Sequence, residues 1–287
     1  MRLATLLAVA LWASACATAG APAPEKFDGA GPGYAGEARV FLPPGYPAAA
    51  PYPVVYFLHD YFGGDGILWR QGVLDALAAR MAEGALAPFV VVAPGGDRGY
   101  WSDAWDGRRT WESWVTGELR ASVEARWAVR ADRAGRAVSG ISMGGFGAVK
   151  AALRRPDLFG TASSLSGALI PLDPESVRGY SWIQRRILKG VFGPLDGRNV
   201  YLENDLQRLV TLPPVADGER TRLLLRCGRE DEYRLDEAAE KFADLARANG
   251  FEVELVLEPG EHDWKYWKKS AIETLAWHGA RFAEGVR

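Results

Sequence analysis

The chain has few cysteines and histidines and no excess of either charge, and these shortages exclude whole classes of protein. Only 2 of its 287 residues are cysteine. We expect Cys16 to carry a lipid, which leaves Cys227 without a partner and excludes a disulfide framework. The 34 Lys and Arg residues against 36 Asp and Glu residues give a net charge of −2. No basic stripe marks a nucleic-acid partner, and a hydrophobic fraction of 48% is enough to form a core.

The N-terminal residues are typical of an export signal. A positive start precedes an apolar run at 3–13, which is too short to span a bilayer, and small residues lead to Cys16. We expect residues 1–16 to be a signal peptide with a lipoprotein box, whose lipid on Cys16 anchors the protein at the periplasmic or cell-surface side of a membrane. Cleavage before Gly20, which gives free secretion, is the alternative. The Ala/Pro/Gly-rich residues 17–35 predict a tether.

Buried strands and amphipathic helices alternate in the rest of the chain. Continuous apolar runs are typical of strands that are buried on both faces. Their alternation with helices predicts a mostly parallel sheet covered on both faces, and hence a single α/β domain over 36–287. Residues 171–214 break the alternation and predict a helical insertion over the C-terminal edge of the sheet, where ligands bind in such folds. The predicted strands are 38–43 (an edge strand), 53–58, 89–93, 136–141, 162–165, 222–227 and 253–257.

A nucleophile motif lies between a predicted strand and a predicted helix. The sequence GISMG at 140–144 follows strand 136–141 and begins helix 144–155, which is the context that the G-x-S-x-G motif requires. A serine on this sharp turn presents its Oγ above the sheet, and the flanking glycines let strand and helix pass closely. We therefore predict that Ser142 is a nucleophile.

A serine hydroxyl needs a base, and three histidines are available. His262 lies in a loop after the last predicted strand, downstream of the serine, as the motif requires. We expect His59 to support a loop and His278 to be a solvated residue of the final helix. The acid that holds the histidine in one tautomer should follow strand 222–227. Asp231 is our choice, and its neighbour Glu230 stays open as the alternative.

Acyl chemistry also needs hydrogen-bond donors for the negative oxygen that develops on the substrate. The backbone N–H of Met143, which follows the nucleophile, is one candidate, and the loop after strand 53–58 supplies the other, for which we choose Tyr61. Three tryptophans of predicted loops or the insertion are candidates for a sugar- or aryl-binding platform, with ordinary packing in the core or rim as the alternative. They are Trp69, Trp101 and Trp182.

Eight segments of the chain resemble an esterase family of the α/β-hydrolase fold that includes feruloyl esterases, S-formylglutathione hydrolases and the mycobacterial mycolyltransferases. The similar segments are VFLPPGY at 40–46, the loop that begins at His59, WESWVTGEL at 111–119, GISMGGFGA at 140–148, PDLF at 156–159, SLSG at 164–167, CGRED at 227–231 and HDWKYW at 262–267. The resemblance implies an α/β-hydrolase fold that acts through an acyl-serine, with no metal and no cofactor.

The sequence therefore predicts an exported serine carboxylic-ester hydrolase that acts on a small-molecule or glycan-linked ester. An acyltransferase of the same mechanism is the alternative, because both share the acyl-enzyme and differ only in the acceptor that reaches it. A non-catalytic surface-binding protein on this fold is a third hypothesis, which the complete set of serine, acid and histidine disfavours.

Overall fold

The computed structural model describes residues 25–31, 34–195, 200–213 and 220–284. The strands are β1 (Glu25–Gly31), β2 (Tyr34–Phe41), β3 (Val54–Leu58), β4 (Val90–Pro94), β5 (Arg136–Ile141), β6 (Thr161–Leu165), β7 (Arg222–Gly228) and β8 (Val253–Glu258). They form one sheet in the order β1-β2-β4-β3-β5-β6-β7-β8. β2 is antiparallel to β1 and β4. The other six strands, β3 to β8, are parallel to one another. The predicted mostly parallel sheet is confirmed.

Helices cover both faces of this sheet. They are α1 (Ile67–Arg70), α2 (Val73–Ala82), α3 (Trp111–Trp114), α4 (Arg120–Arg126), α5 (Met143–Arg154), α6 (Pro174–Gly179), α7 (Trp182–Phe192), α8 (Val200–Asn204), α9 (Leu206–Leu209), α10 (Leu235–Ala248) and α11 (Trp264–Glu284). A π-helical turn, Val115–Leu119, joins α3 to α4. None of the helices in the described ranges has the length and apolar character needed to cross a membrane.

Strand β3 shows how the sequence builds the two cores. All five residues of its sequence VVYFL are buried. Because side chains alternate along a strand, Val54 and Tyr56 join the core on the face of α5 and α10, whereas Val55 and Phe57 join the core on the face of α2 and α11. A continuous apolar run is therefore needed here, since polar residues at alternate positions would be buried on one face.

The N-terminal edge of the sheet differs from the prediction. The strand predicted at 38–43 is not an edge strand, because β1 pairs with β2 on its outer side, from Gly31 opposite Tyr34 to Glu25 opposite Val40. The tether predicted at 17–35 is therefore wrong for residues 25–31 and 34–35, which belong to β1 and β2. β1 contains two glycines and one alanine and is held by backbone pairing. Residues 1–24, with Cys16 and Gly20, lie outside the described residues.

The helical insertion predicted at 171–214 is confirmed in its described residues, which contain α6 to α9. Its helices begin at sequence signals. Asp173 accepts from the backbone N–H of Ser176 at 3.0 Å ahead of α6, and Ser181 and Gln184 form a capping box at the start of α7.

Candidate active site

Ser142 lies on a strained turn between β5 and α5. Its φ of 54° and ψ of −114° are outside the conformations that a serine usually adopts. Glycine is required on both sides of this turn. A Cβ on Gly144 would lie 2.0 Å from the backbone oxygen of Leu58, and one on Gly140 would lie 2.3 Å from the carbonyl carbon of Gly144. The close passage of β3, β5 and α5 therefore lifts the Ser142 hydroxyl above the sheet.

The structure brings together the three side chains that the sequence singled out. Ser142 Oγ lies 2.9 Å from His262 Nε2, and His262 Nδ1 lies 2.6 Å from Asp231 Oδ2. The Asp231 side chain is completely buried and that of His262 is 9% exposed. A carboxylate only accepts hydrogen bonds, so this network assigns the ring proton to Nδ1 and leaves Nε2 to accept from Ser142. The arrangement can transfer a proton from the hydroxyl to the imidazole.

Asp231 and His262 meet because two loops are joined at the ends of β7 and β8. A Cβ on Gly228 would lie 2.0 Å from the Gly260 oxygen, so the loops touch through backbone. Glu230, the alternative acid, is exposed. Its carboxylate accepts from the backbone N–H of Gly260 at 2.5 Å, and its own N–H donates to the Gly260 oxygen at 3.0 Å. Of the two acids, it is Asp231 that contacts His262.

Three further residues surround this pair, and the sequence reasoning missed their role. The His262 ring meets the edge of Trp267, with centroids 4.7 Å apart, and of Tyr233, at 5.0 Å. Cys227 Sγ lies 3.6 Å from Asp231 Oδ2. Burial, and then the Asp231 carboxylate, raise the pKa of the Cys227 thiol, so it stays protonated and can donate to that carboxylate. The only sequence signal was that these residues lie within a few positions of the two loops.

The other two histidines have structural surroundings. His59 is buried, with Nε2 accepting from the Gly96 N–H at 2.9 Å and Nδ1 lying 2.7 Å from the Asp60 oxygen, so it supports its loop as expected. The expectation that His278 is solvated is wrong. It is 0% exposed because that face of α11 packs against the sheet, and burial lowers its pKa to about 3.

The two residues whose backbone N–H groups are candidate oxyanion donors follow neighbouring strands, β3 and β5. Leu58 is opposite Gly140 in the register of β3 and β5, so Tyr61 follows β3 next to the turn that carries Ser142. Met143 is the first residue of α5, where a backbone N–H has no acceptor within the helix. The Asp60 carboxylate shapes the Tyr61 loop by accepting from the Phe62 N–H at 3.2 Å.

The three candidate platform tryptophans lie in different surroundings. Trp182 is 69% exposed on α7 and lines a groove that includes Tyr61. The platform role is wrong for Trp101, which is 2% exposed and donates from Nε1 to the His59 oxygen at 3.1 Å. Trp69 is half-buried and packs against the core on the face of α2 and α11, so packing explains it too. The ranges that the structure describes contain no group of three or more His, Cys, Asp or Glu placed to hold a metal ion.

Comparisons with known proteins agree with this geometry. Residues 33–278 match the model of the Esterase family. The chain belongs to this family. It is 26% identical over 232 residues to an acetyl esterase of Caldicellulosiruptor saccharolyticus, covering 78% of this chain and 82% of the relative. The predicted resemblance is thus confirmed, and the protein is an esterase.

Solved structures show the same fold. A ferulic acid esterase superposes with a TM-score of 0.73 at 24% identity and covers 91% of this chain and 97% of its own. An S-formylglutathione hydrolase of Agrobacterium tumefaciens superposes with a TM-score of 0.71 at 20% identity and covers 92% and 100%. At such low identity these likenesses bear on the fold alone, which is the predicted α/β-hydrolase fold.

Proposed function

We propose that this esterase hydrolyses carboxylic esters through an acyl-serine intermediate on Ser142. One observation carries the proposal: the continuous hydrogen-bond chain from Ser142 through His262 to Asp231, built on a strained strand-to-helix turn. A nucleophile, a base and a group that orients the base are the parts that this chemistry needs.

In the first half of the proposed reaction, Ser142 Oγ attacks the ester carbonyl carbon and passes its proton to His262 Nε2. The carbonyl π electrons move to oxygen, and Asp231 stabilises the imidazolium without taking a proton itself. The backbone N–H groups of Met143 and Tyr61 would donate to the negative oxygen. When the tetrahedral intermediate collapses, the C–O bond to the alcohol breaks and His262 returns its proton to that alcohol.

In the second half, a water molecule attacks the acyl-serine and His262 takes the proton of the water. When the second intermediate collapses, the bond from the acyl carbon to Ser142 Oγ breaks, His262 returns the proton to Oγ, and the acid is released. An alcohol or sugar that reached the acyl-enzyme in place of water would give acyl transfer by the same steps. We propose hydrolysis of small-molecule or glycan-linked esters as the main reaction, and product analysis with and without added trehalose or glycerol measures the share of transfer.

A fluorophosphonate reagent tests the nucleophile directly. It should inactivate the enzyme with one equivalent bound, and peptide mapping should place the label on Ser142. Ser139, Ser164 and Ser166 serve as internal controls, because each is at most 2% exposed. A label on another residue would contradict the proposal, as would full turnover of 4-nitrophenyl esters after labelling.

We propose also that the protein is exported and anchored through a lipid on Cys16, on the sequence pattern of residues 1–16 alone. Cys16→Ser in the full chain, or treatment with globomycin, should move the enzyme from the membrane fraction to the soluble extracytoplasmic fraction. A mature N terminus at an unmodified Gly20 would contradict the anchor and leave export.

A further inference from the structure

Resting on the proposed function, we propose that the ester substrate carries an anionic group, a carboxylate, sulfate or phosphate, and that a groove beside Tyr61 binds it. The guanidinium groups of Arg98 and Arg186 would supply the positive charge.

The groove has the size of a ligand site. A cavity of about 510 Å³ lies between the loop of Tyr61 and helix α7, and a second of about 400 Å³ adjoins it. The two share Tyr61, Arg98 and Arg109. Small-molecule sites usually have volumes of about 300–1,000 Å³. The larger cavity is also lined by Arg186 and by Trp182, so it joins the loop after β3 to the helical insertion.

The charge of the groove is not balanced by its own acids. Arg109 is paired with Asp97. Within the described residues, neither Arg98 nor Arg186 has a carboxylate within ion-pair distance. The Arg98 guanidinium lies over the rings of Tyr61 and Phe62, 5.0 and 5.3 Å from their centroids. A guanidinium whose face stacks on a ring can still donate hydrogen bonds from the N–H groups along its edge. The spacing of these N–H groups matches the oxygens of a carboxylate or a phosphate.

Tyr61 connects the groove to the loop that follows β3. Tyr61 lines both cavities and is three residues beyond Leu58, which is opposite Gly140 in the sheet, two residues before Ser142. An ester whose carbonyl reaches Ser142 could therefore extend into the groove. Two exposed apolar side chains on α7, Trp182 at 69% and Ile183 at 53%, line it as well. The anionic group should thus accompany an apolar or aryl portion of the substrate.

Paired esters that differ only in charge test this inference on the full-length enzyme. For an anion on the alcohol side, the pair is 4-acetoxybenzoate and 4-acetoxybenzamide. For an anion on the acyl side, it is the 4-nitrophenyl half ester of adipic acid and its terminal amide. In at least one pair, kcat/KM should favour the anion by about tenfold after correction for hydroxide rates, as expected for a charge-assisted hydrogen bond. The preference should shrink in high salt.

Variants connect that preference to the two arginines. The double variant Arg98→Gln with Arg186→Gln should bring the anion-to-neutral ratio close to one, chiefly through KM for the anionic ester. Arg185→Gln is the matched control, because Arg185 is also exposed on α7 but does not line the groove, and this variant should keep the ratio.

Two results would overturn the inference while the esterase mechanism stands: equal kcat/KM within both pairs, or an anion preference that the double variant keeps. If none of the four esters were hydrolysed by the wild-type enzyme, the proposed function would fail first and this inference with it.

Discussion

Two serine–histidine pairs occur in the part of the chain that the structure describes, and one of them has the surroundings of a catalytic unit. Ser142 Oγ lies 2.9 Å from Nε2 of His262, and Ser163 Oγ lies 2.8 Å from Nε2 of His278. The reactive atoms and their separation are therefore nearly the same. The first pair is at the C-terminal edge of the sheet, whereas the second is between the middle of β6 and helix α11.

What differs is the partner of the other ring nitrogen and the access to solvent. Nδ1 of His262 meets the Asp231 carboxylate, but Nδ1 of His278 meets only the Thr161 hydroxyl, at 2.8 Å. Ser163 and His278 are both 0% exposed. A serine–histidine hydrogen bond is thus no sign of catalysis by itself. A catalytic pair also needs a carboxylate that stabilises the imidazolium and space for a substrate, and the Ser163–His278 pair has neither.

The largest effect should come from disrupting the Ser142–His262 pair. Ser142→Ala and His262→Ala should each lower kcat for ester hydrolysis by at least about 10⁴-fold, and the double variant should be no worse than either, because the residues act as one unit. Ser163→Ala should keep its activity per folded molecule. The measurement is steady-state turnover of 4-nitrophenyl acetate with circular dichroism as a check of folding. Near-normal turnover by folded Ser142→Ala would refute the assignment.

The next effect separates the two neighbouring acids. Asp231→Asn should lower kcat by about 10⁴-fold, because an amide at this place favours the wrong tautomer of His262. Glu230→Gln should change kcat little, since a glutamine oxygen can still accept from the Gly260 N–H. The same assay compares them as a matched pair of carboxylate-to-amide changes. The reverse order of effects would move the acid to Glu230.

The sequence predicted the first pair and misjudged the second for a physical reason. Ser142, Asp231 and His262 could be found because a strained turn needs glycines at fixed places and the partners follow particular strands. His278 was expected in solvent because it is a polar residue on a helix. Its helical spacing from Ala271, Leu275 and Phe282 nevertheless places it on the buried face of α11.

Strand β1 and the groove were missed for related reasons. Backbone pairing of β1 needs no particular side chains, so its run of Gly29, Ala30 and Gly31 indicated a tether. The groove joins Arg98 with Arg186, which are far apart in sequence and whose meeting depends on how the insertion folds back. Local patterns carry no information on such contacts.

Disrupting the buried Ser163–His278 pair should lower stability and leave turnover unchanged. His278→Ala removes one hydrogen-bond partner each from Thr161 and Ser163 and leaves a cavity, so the free energy of unfolding should fall by about 3 kcal/mol. Activity per folded molecule should persist at low temperature. Urea unfolding followed by tryptophan fluorescence measures the change, with His262→Ala as the counterpart that loses activity and little stability. A loss of turnover by folded His278→Ala would mean that the core pair supports the chemistry.

The smallest effect concerns how the buried pair responds to pH. Burial lowers the pKa of His278 from 6.5 to about 3 in the folded protein. Between these values the unfolded chain binds a proton on this histidine and the folded protein does not. The contribution of His278 to stability is therefore complete above pH 6.5 and is lost as the pH falls toward 3, by roughly 1.4 kcal/mol for each pH unit.

His278→Gln isolates this contribution, because the acids and His262 are the same in both proteins and cancel in the difference. The variant should be less stable than the wild type at pH 7.5, since it loses hydrogen bonds to Thr161 and Ser163. The gap in unfolding free energy should narrow by roughly 2 kcal/mol between pH 7.5 and 5, where carboxylates are still largely ionised. Urea midpoints at half-unit steps of pH measure it. A gap that stayed constant with pH would mean that His278 takes up a proton in the folded core, and the two pairs would then differ less than their surroundings indicate.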